Sequence, residues 1–477
     1  MKRIVLILSV VTLFLLNSSQ VQKGDKPNVL FIIADDLRPE IKAFGVQEIH
    51  TPNMDKLAAE SAVFERAYCN IPVCGASRAS LMSGIRPGRF RFLSHPDYLN
   101  EHYPGAKSIP RVLKENGYTT ISNGKIFHQK KDEENAWDEI WKDTESNWLD
   151  YLTEENINIV ENAKAQGNRE RGLPYEAADV EDAAYTDGKM TLKVLKDLRK
   201  FSESGEPFFL TAGFLKPHLP FNAPKKYWDL YDREDFELPK NYQQPASTPR
   251  VAYHNSGELR HYSSVPEKGL VSEEMAKKLI HGYYACVSYI DAQLGLILNE
   301  LKRTGLDKNT VIVLIGDHGW NLGNHQLWNK HCNFETSLRT PLILKVPGVT
   351  SGQRIDKIVE FVDIFPTISE LTSTPMPKTV SGESLIPTLT NGKRGKDFAI
   401  AQWGKGLTLV KNNYFYTEWF DNEDNITDRM LFDHKTDPVE LDNLAEKPEY
   451  TSLVTELSTI LRKNRGEDFW VDRRLEK

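Results

Sequence analysis

Apolar residues recur along this chain in two rhythms. The run NVLFIIA, Asn28–Ala34, is almost continuously apolar and stops at Asp35 and Asp36, which predicts a parallel strand buried on both faces. The run TVIVLIG, Thr310–Gly316, repeats that grammar and is followed at once by Asp317 and His318. A third run, 207–214, leads into Lys216 and His218. Between these runs apolar positions return at helical spacing over 54–61, 109–116, 182–201 and 272–303; the last opens with Ser272 and Glu274 and stops before Gly305.

Strands alternating with helices predict an α/β fold: a large, mostly parallel sheet sandwiched by helices, with ligands gathering beyond the carboxyl ends of its strands. From about residue 390 the rhythm changes to short strands, 398–403, 407–411 and 414–418, followed by a helix near 450–462. That change predicts a smaller C-terminal α+β subdomain at 390–477, after a main domain at 23–389. No internal repeat or low-complexity tract stands out.

The first 22 residues change the picture of where the chain works. Lys2 and Arg3 precede an apolar run over 4–16 and then small and polar residues, the layout of a secretory signal peptide and too short a run to span a membrane comfortably. The expected location is periplasmic or secreted. With 477 residues, 40% of them hydrophobic, the fold can rest on its core, and four cysteines are too few for a disulfide scaffold. The net charge of −7 gives no reason to expect nucleic acid, so an anionic substrate has to be drawn by local cations.

Asp35 and Asp36 side by side repel each other in a buried site unless a cation neutralises them. With Asp317 they make an oxygen-rich set suited to Ca²⁺ or Mg²⁺. Cys74, in IPVCGASRAS, has four readings: a core residue, half of a disulfide with Cys69, a metal thiolate, or a nucleophile that does not remain a cysteine. Its context favours function, because the run ASLMSG that follows predicts a helix whose N-terminus carries Cys74, with Arg78 one turn on.

The run from Cys74 to Arg78 resembles the C-x-(P/A)-S-R signature of type I sulfatases, of the alkaline phosphatase superfamily, in which the cysteine is converted to Cα-formylglycine. The resemblance extends through DDLRP (35–39), GYTTISNGKIFH (117–128), KPHLPF (216–221), DHGW (317–320) and LFDHKTDPVELDNLA (431–445), and several of these look like the iduronate-2-sulfatase branch. It implies an alkaline phosphatase-like fold and a sulfatase acting on a sulfated saccharide, such as ulvan or a uronate sulfate of glycosaminoglycan type. It implies one Ca²⁺ held by Asp35, Asp36, matured residue 74, Asp317 and His318, and a formylglycine-generating maturation enzyme as partner. By the same resemblance Arg78 orients residue 74, Lys125 and His128 flank it, Lys330 contacts the sulfate and His218 is the general acid. Lys216, Arg38, His325 and Arg339 are secondary additions. The rival expectations are a phosphatase or phosphonate hydrolase on the same fold, and a glycan binder without catalysis.

Overall fold

The computed structural model describes residues 26–128, 132–145 and 147–475, so the expected leader lies outside the described residues. Among the described residues no helix is long and apolar enough to cross a membrane.

The core is an eight-stranded sheet in the spatial order Gln353–Glu360, Ala62–Tyr68, Arg339–Lys345, Thr310–Gly316, Asn28–Ala34, Phe208–Phe214, Thr119–Asn123 and Glu139–Trp141. Every neighbouring pair is parallel except the two made by Arg339–Lys345, which runs against both its neighbours. The continuous apolar runs now have their reason. In Asn28–Ala34 the side chains of Leu30 and Ile32 pack with the helices Thr186–Ser204 and Glu273–Arg303, while Val29, Phe31 and Ile33 face the opposite layer, which includes Leu81, Leu113 and Phe365.

Register brings the polar strand ends level. Ala34 pairs with Phe214 on one side and with Gly316 on the other, so the residues after each leave the same edge of the sheet together. The three polar clusters read from the sequence therefore meet in one place.

One element expectation needs correction, and another is extended. The stretch 182–201 is not one helix: a short 3-10 turn, Asp182–Ala184, ends at an extended Tyr185, and the α-helix runs over Thr186–Ser204. The break leaves Asp182 accepting hydrogen bonds from Tyr227 and Gln293. The C-terminal sheet has a fourth strand, Ile426–Asp433, which completes an antiparallel meander with Phe398–Trp403, Gly406–Lys411 and Tyr414–Phe420. Its charged residues, Asp428 and Arg429, hid it from an apolar pattern. The other helices start or stop within two residues of expectation. Pro52 occupies the first position of Pro52–Ala59, and the Ser272 side chain caps Glu273–Arg303 by accepting from the Met275 N–H.

Candidate active site

Cys74 is the first residue of the helix Cys74–Ser83, which points its N-terminus at the acidic strand ends. Gly75 is needed beside it, since a Cβ there would sit 2.1 Å from the His95 carbonyl oxygen. The Cys74 sulfur lies 3.2 Å from His318 Nε2. Burial first, and then the Asp35 charge, push its thiol up to about 12, so as an encoded cysteine it is a neutral thiol near neutral pH.

Arg78, one turn along the same helix, is fully buried and spreads its fork across the site. Its Nε donates to Asp317 Oδ2 at 2.9 Å, one terminal nitrogen reaches Asp35 Oδ1 at 3.2 Å, and the other donates to the carbonyls of Lys125 and Ile126. The Asp36 backbone, held at a positive φ of 64°, donates to Asp317 Oδ1 at 2.9 Å and so locks two strand ends together. Lys125 pairs with Asp35, and Lys330 bridges Asp36, at 3.1 and 3.2 Å, to Glu258.

The charges do not affect the two adjacent aspartates equally. Burial alone would raise the Asp35 carboxyl, but Lys125, His218 and Arg78 outweigh it and hold the group well below its usual range. For Asp36 burial wins over Lys330, and the neighbouring Asp35 charge adds to it, so this carboxyl is pushed well above its usual range. A positive charge placed between them is what such a pair calls for.

His218 projects from the loop after Phe208–Phe214, whose backbone is held by Asp187 accepting from the N–H groups of Leu215 and Lys216. Its Nδ1 faces the Leu219 carbonyl oxygen at 2.5 Å, while Nε2 lies 3.0 Å from Glu258 Oε1 and 3.9 Å from Asp36 Oδ2. Burial, then Lys330, lowers its pKa, and Asp35 and Glu258 act against that. His128 stands further out, edge-on to His95 at 5.7 Å, with its Nδ1 buried and without a hydrogen-bond partner. Burial and the nearby Lys125 push its pKa down to about 3, leaving a neutral ring.

The four secondary candidates all have partners within the protein. The Lys216 ammonium is buried against the carbonyls of His218 and Pro220, where it braces the loop. Arg38 is held by Glu40, Asn324 and the Trp320 carbonyl, His325 stacks on Phe334 and meets the Glu440 carbonyl, and Arg339 donates to the Glu65 carbonyl. Sequence reasoning missed Glu258. It lies on the four-residue helix Gly257–Arg260, in a long connection without hydrophobic rhythm, and no motif marks it.

Asp35, Cys74, Asp317 and His318 each offer a ligand atom, all within 4.8 Å of one another, and Asp36, Cys74 and His218 form a second, overlapping set. Three buried carboxylates with two imidazoles fit a hard divalent cation, and the costly repulsion of Asp35 and Asp36 supplies the reason for one.

The sheet, its acidic strand ends and the C-terminal meander make up the alkaline phosphatase-like α/β fold shared with solved sulfatases. A structure titled as a complex with its substrate, D-glucosamine-2-N,6-O-disulfate, superposes with a TM-score of 0.75 at 20% identity, covering 95% of this chain and all of the other. The Sulfatase family model matches residues 27–374, and the model described as N-sulphoglucosamine sulphohydrolase, C-terminal, matches 323–467. The chain is 33% identical over 391 residues to iduronate 2-sulfatase of Mus musculus, covering 74% of this chain and 70% of the relative. It is 32% identical over 463 residues to a sulfatase of Formosa agariphila, covering 93% and 88%. The chain belongs to the sulfatase family, the sulfuric ester hydrolases.

Proposed function

We propose that this protein is a formylglycine-dependent sulfatase that removes sulfate from a sulfated saccharide, using one Ca²⁺ ion. The observation that carries the reading is the seat of Cys74: a C-x-A-S-R cysteine at a helix N-terminus, within 4.8 Å of Asp35, Asp317 and His318 ligand atoms. Asp35, Asp36, Asp317, His318 and residue 74 would hold the ion, which when bound neutralises the carboxylates and polarises a sulfate oxygen. Matured by a formylglycine-generating enzyme, residue 74 would supply two geminal hydroxyls, one to attack sulfur and one to expel sulfate afterwards.

The chain's own side chains do the rest. Arg78 fixes the orientation of the helix turn that carries residue 74 and balances Asp35 and Asp317. Lys125 holds Asp35 in place beside residue 74, and His128 flanks Lys125 as a neutral ring. Lys330, braced between Asp36 and Glu258, binds the sulfate. His218, with Nδ1 engaged by the Leu219 carbonyl, has Nε2 to hand a proton to the departing sugar oxygen, and Glu258, 3.0 Å from that atom, opposes the burial and the Lys330 charge that lower its pKa.

The mouse relative's name and the disulfated sugar in the solved relative support a saccharide as substrate, with a sulfated uronate or ulvan as the first to try. The leader-like residues 1–22 support an exported protein, and the change of rhythm near residue 390 supports a division into 23–389 and 390–477. The test is release of inorganic sulfate from a panel of sulfated oligosaccharides, run beside phosphate monoesters and phosphonates. Turnover confined to sulfated sugars is expected. Preference for phosphate or phosphonate, or saccharide binding without release of sulfate, would overturn the reading.

A further inference from the structure

Arginines buried or half-buried in this protein hold carboxylates: Arg38 holds Glu40, Arg78 holds Asp35 and Asp317, and Arg86 holds Glu360. Arg171 differs. Its guanidinium lies over the Trp148 ring at 4.6 Å and over the Tyr262 ring at 5.1 Å, and among the described residues no carboxylate comes within ion-pairing distance of it. The position is built rather than incidental. The Arg171 N–H donates to the His261 carbonyl at 3.0 Å, its carbonyl accepts from Ser263, and Arg171 and Tyr262 form an isolated parallel bridge.

This clamp borders the site described above. The Trp148 ring stands edge-on to the His218 imidazole at 6.3 Å, and 45% of Trp148 is exposed. Arg171 is thus two ring contacts from the residue read as the proton donor to the sugar. Tyr262 completes the other wall, with its hydroxyl buried beside the Arg171 guanidinium. A guanidinium with aromatic rings over its faces keeps its N–H donors in the plane between them, an arrangement suited to a planar or multidentate anion. Among the described residues this cationic charge is not neutralised by a protein carboxylate.

We propose that Arg171, held against the rings of Trp148 and Tyr262, binds a second anionic group of the saccharide, a carboxylate or a further sulfate beside the ester that is cleaved. The assignment rests on the reading of the His218 site as a saccharide sulfatase and names the substrate class that site takes: sugars with two anionic groups. It also gives the two long connections that carry these residues a task in selecting the substrate.

The experiment compares kcat/KM of wild type, Arg171→Ala and Arg171→Lys on three probes: a monosulfated uronate-containing disaccharide, the same disaccharide with its carboxyl reduced to the alcohol, and 4-nitrophenyl sulfate. Loss of a charge-assisted contact predicts that Arg171→Ala lowers the ratio of uronate to aryl turnover by about 10- to 100-fold, mainly through KM, with partial rescue in Arg171→Lys. If the second anion is the carboxylate, the reduced disaccharide loses the difference between variants; if it is a sulfate, a disulfated neutral sugar shows the difference instead. Equal losses on all probes, the disulfated neutral sugar included, or no loss on any of them, would overturn the proposal. Calorimetric binding of the unreduced disaccharide to Cys74→Ala, with and without Arg171→Ala, reads the subsite without turnover. The disulfated neutral sugar is titrated alongside; weaker binding of either ligand in the double variant keeps the subsite even should hydrolysis fail, and unchanged binding of both removes it.

Discussion

Arg78 Nε and Asp317 Oδ2 meet at 2.9 Å with both side chains fully buried, which ties the helix of Cys74 to the end of the strand Thr310–Gly316. The same guanidinium reaches Asp35, so one side chain joins the helix to two neighbouring strand ends. A planar fork can do this and a lysine ammonium cannot.

Arg78→Ala should therefore leave Asp35 and Asp317 without a partner they share, at a cost of about 3–5 kcal/mol in stability. Arg78→Lys should keep more of the stability than Arg78→Ala and still lose most of the sulfate release, because the orientation of residue 74 is gone. Thermal melts and a sulfate assay on the two variants check this, and an active Arg78→Lys would contradict it.

Metal removal follows from Asp36, whose carboxyl burial and the Asp35 charge push up. Exhaustive chelation should lower both activity and Tm, and Ca²⁺ should restore them better than Zn²⁺, since oxygen donors dominate the set. Saturation at 100 times Kd corresponds to about 2.7 kcal/mol of stabilisation, a shift that calorimetry resolves. A metal-free protein, verified by elemental analysis, with undiminished activity would contradict the site.

The role of His218 separates by leaving group. His218→Ala should lose about 10² to 10⁴ in kcat/KM on a sulfated sugar and far less on 4-nitrophenyl sulfate, whose phenolate needs no proton. Glu258→Gln should show the same selectivity on a smaller scale, because it lies 3.0 Å from Nε2. Lys330→Ala should depress both substrates alike. Equal losses for His218→Ala would make His218 a sulfate binder instead.

A pH prediction comes from outside the site. His434, on the segment after the strand Ile426–Asp433, stacks on Phe415 and lies 3.2 Å from Glu440 and 3.7 Å from Glu335. Burial opposes its charge, but the two carboxylates prevail and push its pKa up to about 10. A folded value above the unfolded one means that the stabilisation is complete below pH ~6.5 and is lost as pH rises through about 10. The Tm gap between wild type and His434→Gln should thus be wide at pH 6 and narrow at pH 10. A gap that does not change with pH would refute the pairing.

The strand ends were legible because strands buried on both faces write continuous apolar runs, and the first polar residues after each run mark one edge of the sheet. Cys74 was legible as the start of a helix from the small residues that follow it. His218 was marked by the apolar run that leads into it, but Lys125 and Lys330 carried no such signal, since a lone lysine has no periodic context, and their candidacy came from resemblance to a family. Glu258, Trp148 and Arg171 were invisible. They lie in long connections whose path is set by packing rather than by local rhythm, and only the folded chain brings them beside His218. Arg38, Lys216, His325 and Arg339 each engage backbone carbonyls of the protein.

The central claim is that residue 74 acts as something other than a cysteine. The most direct measurement is the mass of the tryptic peptide containing residue 74, taken from a preparation whose sulfate release has been measured, after alkylation of free thiols. The account predicts a peptide lighter than encoded, by exchange of a thiol for an aldehyde oxygen, in a fraction that tracks specific activity. An unmodified, fully alkylated Cys74 in a fully active preparation would contradict it.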